Sequence, residues 1–296
     1  MNKGHNYYQS AIVFALVLTT ILLGMTTPGS AKANGKIAFY VAPETEYVPV
    51  GELISYLLRS KMGLEVNKIV QYPEVGLRKV ATGKGDLFLG LKLPPANETS
   101  GSYRIYQLCN LGPIYEDVAA GWGVPAYISK KWLGSSEDLR NEKTKNRLHR
   151  EIIVYESDEK LLEASREIVM GVKGLQEYEL VELSESVANS ELERATRNEE
   201  WIVTTIRRPS LPFSLHDFRI IERLTEEQSV HLFGRNDLMA EFSGEVTQFL
   251  SRFYLPIELV NELIRTWDQD QEVSVRDFVN RHPKLVAYWV NGVKAL

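Results

Sequence analysis

The 296-residue sequence predicts an α/β fold with largely parallel sheets. Three observations carry that expectation. Short apolar runs alternate with amphipathic stretches from Lys36 onward. The runs are apolar on both alternating sets of positions, as strands covered on both faces are. Setting an apolar leader of 33 residues aside leaves about 263 of the 296, enough for two lobes with a core each.

The leader comes first. Met1-Asn2-Lys3 gives a weakly basic head, and Ala11 to Met25 carries no charge. That run is at the upper end for a signal-peptide core and short of the ~20 residues a spanning helix needs. Ala31-Lys32-Ala33 has the A-x-A form of a cleavage site, so residues 1–33 read as a signal peptide and Asn34 as the mature start. No Cys lies near that point for lipid attachment.

Expected strands are Lys36–Val41, Asp86–Leu89, Ile152–Tyr155, Glu179–Glu182, Trp201–Ile206, Phe218–Ile221 and Val230–Phe233. Between them, Val50–Leu58 places Leu53, Ile54, Leu57 and Leu58 at helical spacing, and Glu159–Val172 does the same with Leu161, Leu162, Ala164, Ile168 and Val169. From Asn236 onward the pattern is helical. Pro256 suits a first turn, and Ser274 with Asp277 resembles a capping pair. Leu259, Val260, Leu263, Ile264 and Trp267 form a stripe expected to be buried. Leu93 to Ser102 reads as a surface loop, and its Asn97 sequon as chance.

Charge and composition narrow the function. Residues 1–33 hold Lys3 and Lys32 and no acid, so 32 of the 34 basic residues remain against 39 acidic, a net of −7. An acidic surface argues against nucleic acid and anionic lipid as partners. The single Cys109 cannot form an internal disulfide and reads as a small buried hydrophobe. His149, His216, His231 and His282 show no metal-ligand spacing, no nucleophile elbow or phosphate loop is present, and no cofactor is expected. His216-Asp217 is read as part of a strand, with the two side chains facing opposite ways. Enzyme chemistry therefore has no support.

Binding has more. Pro- or Gly-bearing segments recur where strands are expected to end: Val41 to Glu44, Gly90 to Pro94, Leu111 to Pro113, Gly121 to Pro125 and Ile206 to Pro209. In open α/β sheets ligands sit beyond the carboxyl ends of the strands.

Several stretches resemble the substrate-binding proteins of ABC importers for glycine betaine, proline betaine and choline. They are Asn110 to Pro113, then Gly121-Trp122-Gly123-Val124-Pro125-Ala126-Tyr127, Ser136 to Leu139, Gly174 to Glu185, Glu200 to Thr205, and Asp277 to Pro283 continuing to Trp289. The resemblance implies a type II periplasmic-binding-protein fold, two α/β lobes joined by a hinge. Lobe one is placed at 34–115 with 222–296 and lobe two at 116–221. It further implies a monomer in the periplasm that hands a small solute to an inner-membrane permease.

The family's aromatic cage for a quaternary ammonium is largely replaced here. By the same resemblance, Lys92, Arg207 and Leu211 fall where aromatics are common, and Glu44 falls near another such position. Trp122 is the aromatic expected to keep a pocket wall. Glu44, Lys92, Trp122, Arg207 and Ser210 are therefore the expected ligand contacts. Two cations facing a cleft repel trimethylammonium and suit a carboxylate, sulfonate or phosphate. With Glu44 in the cleft a zwitterion also fits, so the expected ligand is a small anionic or zwitterionic solute and not a betaine. Lys92 and Arg207 could instead face solvent, or pair with Glu98 or Asp217. A ligand-sensing module without transport and a degenerate member without ligand remain the rival readings. Trp201, Trp267 and Trp289 are expected in cores.

Overall fold

In the computed structural model, residues 35–94, 108–267 and 270–292 are described. The expected signal peptide, and the expected loop beyond Pro94 with Asn97 and Glu98, lie outside the described residues.

The chain opens with β1 (Lys36–Val41), crosses back through α1 (Tyr47–Met62), and adds β2 (Glu65–Val70) parallel to β1. Helix α1 buries Leu53, Ile54, Leu57 and Leu58, as its spacing predicts. A second crossover, α2 (Pro73–Ala81), starts on a proline that needs no N–H there and leads to β3 (Leu87–Leu93), parallel to β1.

The long strand β4 (Cys109–Pro125) follows. Leu111–Pro113 and Gly121–Pro125, expected as strand-end loops, both lie inside this strand. Gly112, at φ 111, sits at a shift of register against the neighbouring strand and absorbs a bulge. Gly121 is needed for close approach, since a Cβ there would stand 2.0 Å from the Glu222 carbonyl oxygen.

Beyond β4 come a 3-10 turn (Ser136–Arg140), α3 (Glu142–Arg147), β5 (Glu151–Tyr155), α4 (Glu159–Gly171) and β6 (Glu179–Leu183). Then follow α5 (Glu185–Asn198), β7 (Thr204–Arg208), α6 (Leu211–His216), β8 (Phe218–Arg223) and β9 (Gln228–Gly234). Strand β7 starts three residues after the expected Trp201. His216 ends a helix and is not in a strand.

The C-terminal third is helical as expected: α7 (Leu238–Glu241), α8 (Gly244–Arg252), α9 (Ile257–Arg265), α10 (Gln271–Arg281) and α11 (Pro283–Asn291). Pro256 stands one residue before α9. The cap of α10 is Asp270, whose carboxylate accepts from the Val273 N–H at 3.1 Å, and not Ser274, which lies within the helix. In α9, Val260, Leu263 and Ile264 are buried and Leu259 is partly so, as is Trp267 just beyond the helix.

The strands form one hydrogen-bonded path, β2-β1-β3-β9-β4-β7-β5-β6, with β8 also on β4. Pairing is parallel among β1, β2 and β3 and among β5, β6 and β7, but β9, β7 and β8 run antiparallel to β4. The expectation of largely parallel sheets is thus corrected to mixed sheets. The chain leaves one half through β4 and returns through β9 at the same place, which sets those strands in opposite directions.

Two halves of the core result. Residues from Ile37 to Val118 and from Val230 to Trp289 pack together, and those from Trp122 to Ile221 form two adjoining clusters. Where the chain passes between them, the Ala120 N–H donates to Thr225 Oγ1 at 2.9 Å and the Leu224 N–H to the Ala120 carbonyl at 2.9 Å. The outgoing and returning crossings are therefore bonded to each other.

Because Gly121 meets backbone, Gly121→Ala must spread β4 from β8. Its urea midpoint is expected to fall, at a cost of about 1–3 kcal/mol. An unchanged midpoint would contradict that packing.

Candidate functional site

Segments leaving the carboxyl ends of four strands converge on one cavity of about 550 Å³. After β1 come Thr45 and Glu46. At the end of β5 are Tyr155, Ser157 and Asp158. After β6, helix α5 presents Glu185, Asn189 and Glu193. After β7 come Arg207, Pro209 and Ser210, continued by Leu211, Leu215 and His216 of α6. Thr45 and Glu46 belong to the half of the chain that forms the first core, and the rest to the other half.

Local sequence places these groups. Asp158 caps α4, accepting from the Leu161 N–H at 3.4 Å, and its other carboxylate oxygen takes the Arg207 guanidinium. Ser210 caps α6, with its hydroxyl accepting from the Phe213 N–H at 3.3 Å. Asn189 stands one turn after Glu185 and one before Glu193, so the three share a face of α5. The Tyr155 hydroxyl donates to Asn189 Oδ1 at 2.9 Å, and burial pushes its pKa up to about 12.

Helix α6 also touches the opposite half of the molecule. The Ser214 hydroxyl donates to Asn261 Oδ1 of α9 at 3.1 Å. The cavity is thus flanked by a contact between the two halves of the molecule.

Of the expected contacts, Arg207 and Ser210 line the cavity. Arg207 pairs with Asp158, not Asp217. Lys92, at the end of β3, lies one layer behind, with its ammonium 3.4 Å from Glu46 Oε1. Glu44 stands outside the lining, beside Glu46 and within the field of Lys92. Its carboxyl is pushed up chiefly by loss of hydration, its own backbone hydrogen bond opposing.

Trp122 is a correction. Its side chain is fully buried in the second half's core, with the indole N–H donated to Ser165 Oγ at 2.9 Å. A tryptophan between two glycines reads the same whether it lines a pocket or fills a core. Here β4 turns it to the core.

Asp158, Glu46, Glu185 and Glu193 were missed. Asp158 was findable as the capping residue before the Glu159 helix. The charge inventory changes accordingly. The lining carries four carboxylates and the Arg207 guanidinium, and each of the two cations singled out in the sequence is met by a neighbouring carboxylate. Tyr155 is the one phenol or indole ring among the described lining residues. No three His, Cys, Asp or Glu among the described residues stand close enough to hold a metal ion.

Among the other aromatics, Trp289 is fully buried in the first half's core. Trp201 and Trp267 are partly buried, and Arg147 stacks 4.6 Å from the centroid of Trp201. Cys109 is half-buried against the first half's core.

Comparison with known proteins follows the same lines. Residues 35–281 match a family described as the substrate-binding domain of ABC-type glycine betaine transport system. No curated protein matches in sequence. A lactococcal OpuAC, solved closed and complexed with glycine betaine, is similar at TM-score 0.61 and 20% identity, over 86% of this chain and 99% of that one. A glycine betaine/L-proline-binding protein (ProX) from Borrelia burgdorferi gives TM-score 0.59 at 20% identity, over 86% of this chain and 97% of that one. An ABC-transporter choline binding protein in complex with choline gives TM-score 0.58 at 17% identity, over 90% of this chain and 94% of that one. These structural likenesses establish a common fold.

Two predictions follow from the site. Trp122→Ala leaves a large void in the core and is expected to cost roughly 3–5 kcal/mol in urea unfolding. A loss below about 1 kcal/mol would return Trp122 to the surface. His216 on the cavity wall is held below its ordinary value of 6.5 by partial burial, with Glu193 opposing. The unfolded state then takes the proton first, so His216's share of stability is full above 6.5 and is lost as pH falls toward the folded-state value. His216→Gln is expected to flatten the melting-temperature profile below that pH, and an unaltered profile would contradict it.

Proposed function

The chain belongs to the family of substrate-binding domains of ABC-type glycine betaine transport systems, and from that premise we propose that it encloses a small zwitterionic solute between two lobes. A member of this family captures a solute for an ABC transporter and is not an enzyme. Its place of action is extracytoplasmic. The finer reading is a monomer exported by cleavage after Ala33, delivering its solute to a permease. We take lobe one as 34–115 with 222–296 and lobe two as 116–221.

The observation that carries the ligand class is the pairing of unlike charges around one cavity. Arg207 offers a fork of donors to a carboxylate or sulfonate, and Ser210 a hydroxyl beside it. Lys92 and Glu44 approach from the side of β1 and β3. The carboxylates of Glu185 and Glu193 on α5 suit a cationic end. A purely anionic solute would face more negative than positive charge in the lining, so the zwitterion is favoured. The named relatives bind glycine betaine or choline. This cavity, with Tyr155 as its one phenol or indole ring among the described lining residues, favours a ligand held by hydrogen bonds over one held by stacked rings.

The test is a thermal-shift and calorimetric panel of amino acids, betaines, choline and simple anions against the chain from Asn34. A solute at about 100 times its Kd is expected to stabilise by ~2.7 kcal/mol. Arg207→Met is expected to weaken that solute by about tenfold or more while leaving the free protein's melting temperature within a few degrees, since Arg207 is half exposed. A panel in which only simple anions bind, or affinity untouched by Arg207→Met, would contradict the reading.

A further inference from the structure

Lys92 is a cation already housed by the protein. Its ammonium lies 3.4 Å from Glu46 Oε1 and 5.6 Å from the centre of the Tyr47 ring. Glu46 lines the cavity and Tyr47 follows it at the start of α1. The Tyr47 ring is almost wholly buried, and the side chains of Lys92 and Glu46 are 25% and 13% exposed. A carboxylate and a fixed aromatic face, side by side and partly dry, are the two kinds of group that hold an organic cation. Here they hold the protein's own. A group tethered to the same scaffold acts at an effective concentration of order mM or more, so a free cation must displace one that cannot diffuse away. Arg207 adds a second positive charge whose field reaches Tyr47.

We propose that Lys92 determines specificity: from behind the lining its ammonium neutralises Glu46 and covers the Tyr47 ring, and so denies that wall to trimethylammonium solutes. The inference rests on the reading of the cavity as the solute site, and it goes further by naming the residue that turns quaternary ammonium ions away.

The experiment is calorimetric titration of choline and of glycine betaine into the wild-type chain, Lys92→Met and Lys92→Gln, with circular dichroism confirming the fold of each. Wild type is expected to bind both solutes weakly. Lys92→Met is expected to gain about tenfold or more in affinity for at least choline, and Lys92→Gln a smaller gain. Adding Glu46→Gln to Lys92→Met is expected to remove the gain, which a merely structural lysine would not produce. Wild-type affinity for choline equal to that of Lys92→Met overturns the inference, as does a folded Lys92→Met or Lys92→Gln pair that gains nothing. The solute-site reading is tested separately by the Arg207→Met response of the wild-type zwitterion. If that response persists while the Lys92 variants gain nothing, only the assignment of Lys92 falls.

Discussion

Strand β4 cannot satisfy its backbone within one half of the molecule. Up to Val118 its partner is β9, and from Ala119 onward its partners are β7 and β8. An unpaired buried amide costs a hydrogen bond, so the two halves are held in one register by a single strand. The return crossing fixes the same point from the other side, through the bonds between Ala120, Leu224 and Thr225. Arg208 closes the junction, with its Nε donating to the Asp117 carbonyl at 3.0 Å and its guanidinium 3.2 Å from the Asp117 carboxylate. Everything that turns one half against the other passes through these few residues.

The cavity is a consequence of that arrangement. The parallel strands on the two sides of the junction run in opposite senses, three antiparallel steps apart through β9 and β4, and the segments that follow them meet over the gap. Helix N-termini come with them: α1 begins beside Glu46, α4 at Asp158, α5 at Glu185 and α6 at Ser210. Charged side chains at such positions are held by short connections to rigid elements, so their relative placement depends on strand packing more than on loop conformation. The contact of α6 with α9 joins the two halves beside the cavity, and it is the kind of polar contact that a hinge can make and break.

Much of the fold was legible where periodicity was strong. The α1 stripe is buried as its spacing requires, the α4 and α9 stripes are buried in the main, and β1, β5 and β6 lie within a residue of their apolar runs. Strand β2 was silent because Glu65, Asn67 and Lys68 break its apolar run, and it forms the edge of the sheet path. Strand β4 was hidden by its own glycines and prolines. The glycines look like turn signals, but Gly112 is there because the bulge sets it at φ 111, and Gly121 because the Glu222 carbonyl leaves no room for a side chain. Helix α5 escaped because its apolar positions are few, Ala188, Leu192 and Ala195 among charges. With it went Glu185, Asn189 and Glu193, half the reason the cavity is acidic. Arg207 and Ser210, picked out by the resemblance around Pro209, stand in the lining because β7 ends there and α6 begins. Trp122 was misplaced because residue type does not say which face of a strand it occupies.

The central claim is motion of two halves about the β4 junction when solute enters. The direct measurement is fluorescence energy transfer between dyes at Ser60 on α1 and Glu167 on α4, both exposed, with the single Cys109 replaced by serine. The account predicts that a bound solute shifts the distance distribution to one narrower population, in step with the calorimetric saturation curve. Saturable binding that leaves the distribution unchanged would contradict it.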